Sequence, residues 1–133
     1  MLFRSDNRVT IPGFYDAVRP IPDSERKQMK ALAFNEKEYQ DAMGCPALTG
    51  EKGYTTLERR WARPTLDVNG MYGGFMGPGA STVIPAKIGV KVSMRIVPNQ
   101  DPERINRAFE ETVKKLCPAG VKMEILTHSY CSA

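Results

Sequence analysis

Apolar and polar residues alternate most clearly over residues 87–96. Ile88, Val90, Val92, Met94 and Ile96 fall on one side of a period of two, and Lys87, Gly89, Lys91, Ser93 and Arg95 fall on the other. This predicts a strand with one core-facing side and one polar side that carries an arginine. It sits within a longer β-branched stretch, TVIPAKIGVKVSMRIVPN. A second strand is expected in RWARPTLDVNGMYGG, where Leu66 and Val68 alternate with Asp67 and Asn69. Past residue 100 the period lengthens. Ile105, Ala108, Phe109, Val113 and Leu116 line one side of a helix that Asp101 caps and Pro102 opens. Lys114 and Lys115 suit its C-terminal end, and Pro118 and Gly120 close it. VKMEILTHSY then reads as a last strand, with Val121, Met123 and Ile125 on one side.

The first half is patterned differently. Pro12, Gly13, Pro20 and Pro22 keep residues 1–22 extended and turn-rich, with Phe14, Tyr15 and Val18 as anchors on a neighbouring surface. A short helix follows, capped by Asp23 or Ser24 and striped by Met29, Leu32 and Ala33. A second short helix starts at Asn35, with Glu38 three residues on, and stops at Gly44. Cys45 to Tyr54 reads as loop.

Strand, loop, strand, helix, strand in the second half defines an α+β class, an antiparallel sheet with helices on one face. Residues 1–60 form an N-terminal segment of extended chain and short helices, and 61–133 form the core of the domain. The chain, 133 residues with 41% hydrophobic and 26% charged positions, is long enough for one domain with a real core.

Charge narrows the partners. The net charge of +4 is mild, and Lys and Arg are interleaved with Asp and Glu, which suits a solvated surface better than a nucleic-acid footprint. No apolar run is long enough for a bilayer, and MLFRSDNRVT lacks the apolar centre of a signal peptide, so no membrane contact and a cytoplasmic location are expected. Cys45, Cys117 and Cys131 form no C-x-x-C pair and read as free thiols. The lone histidine, His128, cannot build a metal site, so no metal or cofactor is expected on this chain.

The stretch GGFMGPGAST, residues 73–82, raises the question of a phosphate site. Gly74, Gly79 and Ser81 have P-loop spacing, but Ala80 stands where the phosphate-binding lysine must be, and the residues that follow are strand-like with Pro85. A connection between strands is the simpler reading, with glycines supplying positive φ or close backbone approach.

Taken together, Val68-Asn69-Gly70, Gly73-Gly74, Gly77-Pro78-Gly79, Thr82-Val83-Ile84-Pro85-Ala86-Lys87 and Ser93-Met94-Arg95-Ile96-Val97-Pro98-Asn99 resemble one family. It is the lid, or dimerisation, domain of the zinc metallopeptidases that include carnosinase-type dipeptidases, aminoacylases and succinyl-diaminopimelate desuccinylase. VTIPGFYDAVRP and LERRWARPT resemble its bacterial dipeptidase-like branch. The resemblance implies a βαββαβ ferredoxin-like lid inserted into a catalytic domain that holds two zinc ions. It also implies a homodimer through paired lids and a peptide or acyl-amino-acid substrate. No zinc-ligand motif of the family matches a position here, nor does the lid histidine motif, so the chain is expected to begin inside the lid. The first lid strand and helix would then be missing, the catalytic domain absent, and the chain by itself inactive.

Two substrate-binding positions carry over from the resemblance. Arg95 matches the lid arginine that takes the substrate's C-terminal carboxylate, a role suited to a planar two-pronged donor. Thr82 matches the residue that hydrogen-bonds substrate across the dimer. Asn69, Gly70, Gly73, Gly74, Gly77 and Gly79 would belong to the loop and its dimer contact, and His128 is a weaker candidate near the active site. On residue type alone, an arginine on a polar strand face is most often solvated, and a threonine opening a strand is most often a β-former. The competing class is a stand-alone ferredoxin-like module that binds a ligand, RNA or a protein without catalysis. Its RNA form would call for exposed aromatics among basic residues, which the 87–96 strand lacks.

Overall fold

The computed structural model describes residue 2 and residues 5–128. Cys131, and the last two residues of the expected final strand, lie outside them. The described elements run α1 (Asp23–Ala31), α2 (Glu36–Met43), α3 (Thr56–Trp61), β1 (Thr65–Gly73), β2 (Ile88–Arg95) and α4 (Pro102–Leu116). The α+β class holds, with a two-stranded antiparallel sheet. By contacts the chain forms two units. One is residues 1–64 with 96–133, and the other is Thr65–Arg95.

The first unit is organised around the turn-rich N-terminal segment. Val9, Ile11, Phe14 and Ile21 are buried there, as are Leu57, Val97 and Ile105. Phe14 is the most enclosed of them, at 1% exposure. Gln100 ties this segment to the start of α4: its Nε2 donates to the Phe14 carbonyl at 2.6 Å, and its Oε1 accepts from the Val97 N–H at 2.8 Å. The anchoring role expected of Phe14 is thus realised, and it ends at a buried glutamine.

α4 forms as its caps dictate. The Asp101 carboxylate accepts from the Glu103 and Arg104 N–H groups, and Pro102 opens the helix. α2 keeps the expected Asn35 cap and Gly44 stop, the latter at φ 62. Its box differs in one arm, because Glu38 accepts from the Asn35 side-chain amide, at 2.8 Å. α1 departs from expectation at both ends. Pro22 holds the N-cap without a side-chain bond, and the helix closes at Ala31, before Leu32 and Ala33.

α3 was not expected, although its signal is in the sequence. Thr55 accepts from the Glu58 N–H, and Glu58 reaches back to the Thr55 N–H at 2.7 Å, a complete capping box. Glu58 is 2% exposed and also meets Arg26 of α1 at 3.0 Å. Thr56 donates to Glu36 of α2 at 2.6 Å. One short helix therefore holds the other two through polar bonds.

Beneath it lies a buried ion pair. Arg63 donates to both Glu51 carboxylate oxygens, at 2.7 and 2.8 Å. Its guanidinium lies 4.3 Å from the Tyr54 ring centre and 5.2 Å from that of Tyr15. Burial works most strongly against the Arg63 charge, but the hydrogen bonds and charge of Glu51, with Tyr54 and Tyr15 beside it, together outweigh burial and hold its pKa above the ordinary value. Burial likewise pushes the Tyr15 hydroxyl up, against the bond it accepts from the Val9 N–H.

Residues 121–128 form no strand, contrary to the alternation of Val121, Met123 and Ile125. A strand needs a ladder partner, and the described residues offer this segment none.

Candidate functional site

The second unit is a hairpin. Thr65 pairs with Arg95, Leu66 with Met94, Asp67 with Ser93 and Val68 with Val92. The register then slips at Asn69, and Met71 pairs with Val90, Tyr72 with Gly89 and Gly73 with Ile88. This bulge has a consequence for the faces. Residues paired directly project to the same side, so Leu66, Val68, Met71, Val90, Val92 and Met94 share one face despite the odd step from 68 to 71. Simple alternation would have turned Met71 to the other side. The opposite face carries Thr65, Asp67, Lys91, Ser93 and Arg95. Asn69 joins it, donating to the Ser93 hydroxyl at 2.8 Å.

Two glycines are fixed by this geometry. Gly73 has φ +151, and a side chain there would press on the Lys87 carbonyl at 2.9 Å. Gly89 lies under the Tyr72 ring, which occupies the space a side chain would need. Gly73 thus closes β1 and Gly89 makes room for a cross-strand packing.

The sequence-predicted site residues divide between the two ends of this hairpin. Arg95 is the last residue of β2, at the open end, and is exposed. Asn69, Gly70 and Gly73 belong to β1 itself, while Gly74, Gly77 and Gly79 lie in the connection at the closed end. Thr82 is exposed in that connection. It does not open a strand, because β2 begins only at Ile88, after Pro85. The seven steps from Ile88 to Arg95 separate the two ends by roughly 23 Å of strand. His128 is exposed beyond α4, in the other unit.

Among the described residues no group of three or more His, Cys, Asp or Glu could hold a metal ion. The donor set of a zinc site is not supplied by them. Among the described residues, too, no helix is long and apolar enough to cross a membrane. What sequence reasoning missed is the bond from the Thr65 hydroxyl to Asp67, at 2.8 Å, with Thr65 directly opposite Arg95 and Asp67 opposite Ser93. The signal was the even spacing of 65 and 67, but their closeness to Arg95 follows only from the ladder register.

A bulged hairpin with a long glycine-bearing connection, joined to short helices, is the class of module that the fold defines. The family model for the peptidase dimerisation domain matches residues 17–121, and the chain belongs to that family, that of the M20 metallopeptidases. The Cys-Gly metallodipeptidase of Schizosaccharomyces pombe is 34% identical over 115 residues, covering 86% of this chain and 24% of that protein. An M20 family metallo-carboxypeptidase from Sulfolobus solfataricus superposes with a TM-score of 0.75 at 32% identity, covering 86% of this chain and 30% of that one. Human carnosine dipeptidase 1 gives a TM-score of 0.76 at 27% identity, covering 86% of this chain and 24% of that one. The chain spans about a quarter of the length of the curated relatives it matches.

Proposed function

We propose that this domain completes the active site of a zinc-dependent dipeptidase, working beside a catalytic domain that holds the metal. Arg95 takes the substrate's C-terminal carboxylate. Thr82 reaches the substrate bound by a second subunit, and the domain pairs two subunits. The observation that carries this reading is the position of Arg95 and Thr82 toward opposite ends of one hairpin. A dipeptide is far shorter than the roughly 23 Å of strand between those ends. Two copies arranged about a two-fold axis can bring the Arg95 end of one to the Thr82 loop of the other. The substrate is a small peptide with a free carboxylate, as the names of the dipeptidase relatives suggest.

The test uses the enzyme that carries this domain. Arg95→Ala should raise KM and lower kcat/KM for a dipeptide with a free C-terminus, by roughly 2–5 kcal/mol where the catalytic domain closes over the pair and buries it. An unchanged kcat/KM removes Arg95 from the site. Mixing Arg95→Ala subunits with Thr82→Ala subunits separates the two arrangements. If Thr82 acts across the dimer, each mixed dimer regains one intact site and activity rises above that of either parent. If both residues serve the same subunit's site, mixing gains nothing.

A further inference from the structure

Arg95 has a negatively charged neighbour on its own face. Asp67 pairs with Ser93, one same-face step from Arg95, and Thr65 stands directly opposite Arg95. The Thr65 hydroxyl donates to Asp67 Oδ2 at 2.8 Å. That bond draws the Asp67 carboxylate along β1 toward the Arg95 end of the hairpin and away from Lys91. Both residues are exposed, so an incoming carboxylate meets Arg95 with Asp67 alongside. A substrate carboxylate held by Arg95 would then lie on the same face as a second negative charge, and like charges repel.

We propose that Asp67 is an internal competitor for Arg95, a specificity-determining residue held in place by Thr65. It weakens the hold on a substrate's terminal carboxylate and so sets how strongly the enzyme favours free peptides over neutral ones. The proposal rests on the reading that Arg95 binds that carboxylate. Asp67 acts through Arg95 and takes no part in bond breaking, so it changes binding rather than turnover. The weakened hold also favours product release, because the departing amino acid carries the same carboxylate.

The experiment measures steady-state kinetics of the full enzyme on Cys-Gly and on its C-terminal amide. Asp67→Asn retains an oxygen acceptor for Thr65 while removing the charge. It should lower KM for Cys-Gly about two- to fivefold, the size of an exposed ion-pair effect, with kcat unchanged and the amide unaffected. The difference from wild type should fade in high salt, as contacts between exposed charges are screened. Thr65→Val should shift KM in the same direction by less, and Thr65→Ser should restore it. An Asp67→Asn enzyme with unchanged or raised KM for Cys-Gly overturns the proposal, provided Arg95→Ala still raises it. If Arg95→Ala leaves KM unchanged, the carboxylate reading itself falls, and the role of Asp67 falls with it. A purely structural role for Asp67 would not tighten binding of one substrate and spare its amide.

Discussion

The two units of this chain hold themselves together by different means. The larger one is braced by buried polar groups. Glu51, Glu58, Arg63 and Gln100 are all buried, and no buried side-chain nitrogen or oxygen among the described residues lacks a partner. The hairpin of β1 and β2 has the reverse character. Its polar face is solvated, and much of its apolar face is too, with Met71 at 74% and Ile88 at 70% exposure. A two-stranded sheet is marginal alone, and an apolar face left in water is a surface still to be covered. One unit has spent its specificity on internal bonds. The other leaves much of its apolar surface exposed.

The largest expected effect tests the bracing. Arg63→Ala leaves Glu51 buried without its bidentate partner. Breaking such a pair costs about 3–5 kcal/mol. Arg8, 3.8 Å from Glu51 and on the surface, is too distant and too solvated to replace it. Urea unfolding followed by circular dichroism should show the loss, and a Glu51→Gln/Arg63→Met double variant should recover part of it. A cost below about 1 kcal/mol for Arg63→Ala would mean that the larger unit relies on its apolar core, as an ordinary domain does.

A smaller effect belongs to Tyr15, in the same network. Tyr15→Phe removes the hydroxyl that accepts from the Val9 N–H, a loss of about 1 kcal/mol near neutral pH. The pH dependence follows from burial, which raises the folded-state pKa above the ordinary 10.0. Above that pH the unfolded chain releases the Tyr15 proton while the folded chain keeps it, so stability falls as pH rises. The phenylalanine variant lacks this component. The stability gap between the two proteins should therefore narrow above about pH 10. A gap that stays constant, measured by thermal unfolding across the alkaline range, would show that the hydroxyl is no more sheltered in the fold than out of it.

The contrast also explains what could be read from the sequence. Local signals were legible: the Asp101 cap with Pro102, the Asn35 cap with Gly44, and the alternation from Ile88 to Arg95 all formed as expected. The Thr55–Glu58 box was equally local, a Thr with Glu three residues on, yet no helix was expected there. Glu51 and Arg63 were unreadable for a related reason. A charge is normally exposed, and only a partner twelve residues away makes its burial tolerable. The strand expected over 121–130 failed in the opposite way in its described part, 121–128, since its pattern is right and no ladder partner for it is found among the described residues. The bulge at Asn69 gave no sign in the alternation, and it decides which side Met71 and Tyr72 take. The sequence offered Arg95 and Thr82 as candidates but could not place them toward opposite ends of one hairpin, because that depends on where β2 begins.

The smallest effect on stability, and the sharpest test of the comparison, is expected at Met71. Its side chain is three-quarters exposed on the apolar face of the hairpin, so Met71→Lys removes almost no burial within the chain. Stability should change by no more than about 0.5 kcal/mol, the usual range for a surface substitution. Association should respond differently. If this face is covered when two copies of the domain meet, a lysine there places an ammonium in an apolar contact, where an unpaired charge is poorly tolerated. Light scattering should then show dimers for the wild-type chain and monomers for Met71→Lys, with unfolding curves that nearly coincide. Dimers that persist in the variant would place the contact on another surface of the domain. A large loss of stability without a change in association would mean that the chain covers the face itself, and that the hairpin is less different from the braced unit than its exposure indicates.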